Sequence, residues 1–143
     1  VELAVVLPIL VLLLGGIVDG SRLLLTSLRL TSAAQAGALY GSQANAFSND
    51  SLGIRSAALA NAPASMAMTV TSTRECRCPS GAGDALQACF TTATPPVARL
   101  CTGYGAPRVY VRITTTATVP VLLLRPLYGA SRTISRSMSF RSA

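Results

Sequence analysis

Covalent chemistry in this 143-residue sequence rests first on four cysteines, Cys76, Cys78, Cys89 and Cys101. The chain has no histidine, so a zinc site would need all four as thiolates, and the spacing C-x-C-x10-C-x11-C lacks the paired C-x2-C knuckles such sites use. Disulfides are the expected state. That assigns this part of the chain to an oxidising compartment, outside the cytoplasm. Of the three possible pairings, Cys76 with Cys78 is disfavoured because residues two apart seldom meet disulfide geometry. The other two stay open, with Cys78 to Cys89 and Cys76 to Cys101 favoured.

Acid-base chemistry is thinly supplied. All twelve basic residues are arginine, with no lysine, no histidine and no tryptophan, and the net charge is +7. Beyond Asp50 only Glu75 and Asp84 are acidic, against ten arginines. Without histidine or lysine, the abundant Ser and Thr have no base to activate them, so no enzyme is expected and neither a cofactor nor a metal is called for. Arg108, Arg112, Arg125, Arg132 and Arg136 could together meet an anionic ligand, while the plainer reading is that arginine keeps a Ser/Thr-rich surface soluble. A phosphate-binding filament would show a steep salt dependence, but the sequence offers no aromatic stacking platform and no nucleic-acid motif. Nucleic acid is therefore not the expected partner.

Glu2 is the remaining chemical oddity. It precedes Leu3 to Val18, which holds no charged residue, and a carboxylate beside such a run is expensive to embed unless it is paired. The alternative is a Glu2 at headgroup level, favoured by the positive end of the helix dipole. Sixteen residues at 1.5 Å each span about 24 Å, slightly short of a hydrocarbon core of roughly 30 Å. Nothing basic precedes the run and the helical pattern continues beyond it, so the segment reads as retained rather than cleaved.

The element that must carry Glu2 is one long helix over residues 1–48, a rod of about 70 Å. Pro8 and Gly15-Gly16 interrupt it, with a kink or local melting expected near residues 4–8. Residues 1–20 would lie in a membrane or filament core. Residues 25–48 would pack on a sheet, with Leu25, Leu28, Ala36, Leu39, Tyr40 and Phe47 on one side and Asp19, Arg22, Thr26 and Arg29 on another. Small residues recur every four positions, as Gly16 with Gly20, Ala33 with Gly37 and Gly41, and Ala34 with Ala38. Such rows allow close helix-helix approach, although alanine is also simply the best helix former.

Residues 49–143 read as a small, disulfide-stapled, β-rich headpiece. Asn49-Asp50 can cap a short helix near 51–61, which Pro63 follows. Met66, Met68 and Val70 alternate with polar residues. From Arg108 to Val119, Val109, Val111, Ile113, Ala117 and Val119 share one face of a strand. A return strand over 132–140 would turn Ile134, Met138 and Phe140 inward, with Arg136 awkwardly on the same side. The fold class is thus α+β, a long apolar helix followed by a small antiparallel sheet that the helix covers. The run Val121 to Leu124, bounded by Pro120 and Pro126, would touch membrane or a neighbour, or fold back on its own helix. Residues 79–107 read as a stapled surface loop.

The pattern Glu2, Leu3, Ala4, then Leu7-Pro8, then Gly15-Gly16 followed by Asp19 and Arg22 resembles the processed N-terminus of the TadE-like pilins and pseudopilins of tight-adherence systems, relatives of type IV pilins. Leu3 stands where that family more often has Phe or Tyr, and the sequence starts without the leader that the resemblance places ahead of Glu2. The resemblance implies insertion in the bacterial inner membrane with the headpiece outside, processing by a prepilin peptidase, and extraction by an assembly machinery into a helical homo-oligomeric filament. The arginine-rich headpiece does not oppose that orientation, because long domains cross largely regardless of charge. In that life cycle Glu2, Leu3, Pro8, Gly15, Gly16, Asp19, Gly20 and Arg22 would serve assembly. The competing reading is a membrane-anchored envelope protein that displays its basic domain without polymerising.

Overall fold

The computed structural model describes residues 2–44, 46–79, 85–89, 100–103 and 105–142. The elements, in order, are helix α1 (Glu2–Ser42), a single 3-10 turn (Phe47–Asn49), α2 (Ser51–Ala60), β1 (Met68–Cys78), β2 (Ala85–Gln87), β3 (Arg108–Pro120), the short α3 (Arg125–Tyr128) and β4 (Ser131–Arg141). The strands form one antiparallel sheet in the order β2-β1-β3-β4. α1 lies across β3 and β4, and α2 packs against both α1 and β1. The expected α+β layering, long helix over antiparallel sheet, is what the chain adopts.

α1 is helical through Pro8 and through Gly15-Gly16, so neither the local melting nor the interruption expected there occurs. Proline removes one backbone donor, but its fixed φ is itself helical, and the flanking leucines and valines keep their own bonds. The helix ends at Ser42, not near residue 48. The chain must reverse so that α2 can reach the core. Tyr40 anchors that reversal: its ring lies 5.1 Å from that of Phe47, and its hydroxyl donates to Asp50 Oδ2 at 2.9 Å. Asp50 in turn caps α2, its Oδ1 accepting the Gly53 N–H at 2.9 Å, as the sequence led one to expect.

The core is built from the small-residue side of α1. Leu30, Ala33, Ala34 and Ala38 are fully buried, and Ala34 and Ala38 meet Ile54 of α2 and Val111 and Ile113 of β3. Gly37 and Gly41 lie so close to this layer that added methyl groups would meet Ile113 and Val111 at 3.1 and 3.0 Å. This corrects the expected helix orientation: Leu25, Leu28 and Leu39 point outward, each more than half exposed. Leucine on the sheet-facing side would hold the helix too far from the sheet, whereas Ala34, Gly37, Ala38 and Gly41 let the two backbones approach.

β3 alternates as predicted, Val111, Ile113, Ala117 and Val119 being buried and their neighbours less so. Thr115 shares the buried face. Its hydroxyl reaches the Leu30 carbonyl of α1 at 3.0 Å and the Arg136 carbonyl of β4 at 3.3 Å, which satisfies a polar group in the core. On β4, Ile134, Met138 and Phe140 are half-buried. Arg136, on the same side, escapes burial by donating from Nε and Nη2 to Ser27 Oγ on α1, at 2.9 and 2.7 Å.

β2 lies inside the expected loop over 79–107, and it decides the disulfide pairing. Its register sets Gln87 opposite Cys76 and Ala85 opposite Cys78, so Cys89, just past the end of β2, falls beside Cys76. The bonds are Cys76–Cys89 and Cys78–Cys101, with Cα atoms 5.0 and 5.4 Å apart. The favoured pairing of Cys78 with Cys89 and Cys76 with Cys101 is thereby overturned, because it took the intervening residues for a loop without strand register.

Candidate functional site

The residues that the sequence singles out for assembly lie on two surfaces: the bare half of α1 and the junction where that half meets the headpiece. Leu3, Leu7, Leu10, Leu13 and Leu14 are all about half exposed or more, with Leu3 at 79%. α1 is long and apolar enough to cross a membrane, and only 11% of its apolar window is buried in the chain's own fold. A helix of a soluble core would be mostly covered. The exposed line continues past the uncharged run at Leu24, Leu25 and Leu28, the outward side of the part that packs on the sheet.

Asp19 builds the junction. It is 6% exposed, and its carboxylate accepts three consecutive backbone N–H groups from the turn after β3: Leu122 at 3.1 Å on Oδ1, and Leu123 and Leu124 at 3.0 and 2.9 Å on Oδ2. Three successive amides around one carboxylate form an anion-binding nest closed by the protein's own side chain. One helical turn earlier, Gly15 is buried beneath Leu123. An added methyl there would lie 3.3 Å from Leu123 Cβ and displace the turn. The run Val121 to Leu124 therefore folds back on its own helix. Val121 is buried, while Leu122 and Leu123 remain exposed beside the apolar half of α1. The hairpin is closed behind them by the Val121 N–H to the Ala130 carbonyl at 3.1 Å.

The assembly residues named from the sequence thus divide. Gly15, Gly16 and Asp19 face the turn, Gly16 approaching Leu124. Arg22, one turn on from Asp19, is half-buried. Gly20 has open space in front of it. Leu3 and Pro8 lie on the bare rod, and Glu2 opens α1.

The five arginines are not gathered into one patch. Arg108 and Arg112 lie on the sheet face away from α1, Arg125 begins α3, and Arg132 and Arg136 lie on the helix side of β4. Arg112 Nε is 2.6 Å from Glu75 Oε1, and Arg77 Nη2 is 2.9 Å from Glu75 Oε2. Hydrogen bonding from Arg77, with the charge of Arg112 beside it, holds the Glu75 carboxyl below its ordinary range. Arg77 also stacks over the Tyr110 ring at 5.0 Å. Arg132 and Arg136 instead border a groove of about 570 Å³ between α1, the end of the turn and β4. Among the described residues, no cluster of His, Cys, Asp or Glu is arranged to hold a metal ion.

A half-bare apolar helix with its other half laid on an antiparallel sheet is the architecture of pilin-like proteins. The family model of TadE-like proteins matches residues 1–39, which is the family whose pattern Glu2, Pro8, Gly15-Gly16, Asp19 and Arg22 resembled. The matched stretch covers the apolar rod, the Asp19 junction and most of the packed part of α1, and it stops before the sheet. No curated protein and no solved structure matches the chain. The TadE-like match points to a component of a pilus-associated tight-adherence system, and the apolar helix is consistent with anchoring in a membrane.

Proposed function

We propose that this chain is a structural pilin-like subunit that polymerises through α1 into an extracellular bacterial filament used for adhesion or surface colonisation. It is held first in the inner membrane with the headpiece outside, is processed by a prepilin peptidase and is handed to the pilus assembly machinery. The observation that supports this reading is the uncovered apolar surface of α1, which continues beyond the sixteen-residue uncharged run to Leu24, Leu25 and Leu28. Lipid can cover the first sixteen uncharged residues. Outside the bilayer, a leucine-lined stripe flanking the sheet-packed face is best covered by the same stripe of a neighbour.

In this mechanism Glu2 pairs with the N-terminal amine of an adjacent subunit and sets register, while apolar contact along α1 supplies the attraction. A buried ion pair adds little net stability by itself but penalises misalignment strongly. The test compares wild-type and Glu2→Ala subunits by electron microscopy of sheared fibres, with subunit identity established by mass spectrometry. The variant should reach the membrane in normal amounts and give few or irregular filaments. Normal filaments from it would refute the pairing. Membrane-bound wild-type chain that never yields fibres would instead favour an anchored, non-polymerising envelope protein.

A further inference from the structure

The headpiece approaches the bare half of α1 through the turn Val121 to Leu124. β3 runs antiparallel to α1, with Val111 against Gly41 and Thr115 bonded to the Leu30 carbonyl, so its end comes down to Asp19 and Gly15. Leu123 overlies Gly15, which belongs to the uncharged run. The turn therefore lies beside the last part of the segment that lipid would cover, not above it. A loop is normally kept out of hydrocarbon by main-chain N–H groups that have no partner there. Here four consecutive donors are taken, Val121 by the Ala130 carbonyl at 3.1 Å and Leu122, Leu123 and Leu124 by the Asp19 carboxylate. Val121 is buried, while Leu122 and Leu123 stay 57% and 58% exposed, level with exposed Leu14, Ile17 and Val18.

The length of the span fits the same placement. Leu3 to Val18 falls about 6 Å short of a hydrocarbon core of roughly 30 Å. The polar groups that follow are answered within the protein: Asp19 by the turn, and the Ser21 hydroxyl by donating to the Val18 carbonyl at 2.9 Å. A carboxylate shared among three amides costs far less to hold at the hydrocarbon boundary than a bare one. Counted to Ser21, the lipid-compatible length is about 28 Å, which brings Arg22 to the headgroups.

We propose that this turn is a second membrane contact: Leu122 and Leu123 insert just below the headgroups of the leaflet on the headpiece side, and Asp19 permits it by taking the turn's amides. The contact rests on the membrane-anchored stage of the proposed function and not on polymerisation. In an anchored monomer, lipid surrounds Leu14 to Val18, so lipid is what meets the leucines level with them. Helix and turn together fix the depth and tilt of a rod that is otherwise slightly short for the bilayer.

The chain has no tryptophan, so a single introduced indole reports alone. Full-length Leu122→Trp is inserted in phosphatidylcholine vesicles at high dilution in lipid. Leu10→Trp, in the span, and Leu86→Trp, on β2 at the far end of the sheet, serve as references, both at exposed positions. The quenchers are phosphatidylcholine brominated high or low on its acyl chains, and acrylamide in the water. Leu122→Trp should be quenched several-fold more by high bromines than by low ones, and little by acrylamide. Low bromines should act most on Leu10→Trp, and acrylamide alone on Leu86→Trp. Adding Asp19→Asn to Leu122→Trp should weaken the bromine quenching and strengthen that by acrylamide. Should an indole at 122 disturb the turn, Leu123→Trp repeats the measurement one residue on. With Leu10→Trp reached by lipid, acrylamide quenching at 122 as strong as at 86 would overturn the proposal. So would shielding from acrylamide together with indifference to bromines, the pattern that a covering second copy produces. If Leu10→Trp also escapes the bromines, the anchored stage itself falls and the contact with it, whereas irregular fibres from Glu2→Ala bear on neither.

Discussion

Asp19 does more than mark the end of an apolar run. Its carboxylate replaces water for three amides that would otherwise face hydrocarbon or a neighbour, and an unmet buried N–H is costly. Asp19→Asn keeps the shape but turns one acceptor into a donor aimed at those amides. The expected outcome is a lower melting temperature in detergent and faster hydrogen exchange at residues 122–124, with the β1-β3 amides protected as before. Asp50 makes a prediction against pH. The Gly53 N–H and then the Tyr40 hydroxyl hold its carboxyl below the ordinary value near 3.8, and the same bond to Asp50 raises the Tyr40 phenol. A carboxyl depressed in the folded state stabilises the fold above that ordinary value, and the contribution disappears as pH falls toward the folded one. Tyr40→Phe removes one of the two donors, so the Asp50 carboxyl should titrate closer to 3.8 by NMR, and the fold should gain less from its ionisation.

At the scale of elements, period and capping were legible where side chains announce their surroundings. The alternation in Arg108 to Val119 gave β3 nearly residue by residue, and Asp50 gave the start of α2. The face of α1 was misread because hydrophobicity was taken as the guide to burial, whereas Gly37, Ala38 and Gly41 are buried for being small. β2 was hidden because three residues show no pattern, and the disulfide pairing went wrong with it. The partner of Asp19 was invisible for another reason: main-chain amides leave no trace in sequence. Two substitutions separate the faces. Ala38→Leu should destabilise the folded subunit by about 1–3 kcal/mol through overpacking. Leu28→Ser, at an exposed position, should leave it within about 0.5 kcal/mol and reduce filament yield. Thermal unfolding in detergent and fibre yield from the same preparations check the pair.

For the molecule as a whole, the two disulfides tie β2 and the end of the following segment to β1, away from α1. Trypsin distinguishes the two pairings left open by the sequence, because it cuts after Arg74, Arg77 and Arg99 and so separates all neighbouring cysteines except Cys78 and Cys89. Under denaturing, non-reducing digestion, Cys76–Cys89 with Cys78–Cys101 should give three peptides joined in one mass, whereas the alternative would give an internally closed peptide and a separate pair. Reduction should loosen this edge of the sheet and leave the helix-sheet layer intact.

Helix and headpiece are fastened side by side, at Asp19, at Ser27 by Arg136, and at Leu30 by Thr115. A tensile load along the rod strains these rivets together in shear, while a sideways tug peels them one after another. In the filament proposed above, such pieces would resist stretching far better than they resist having their outer lobes pried away.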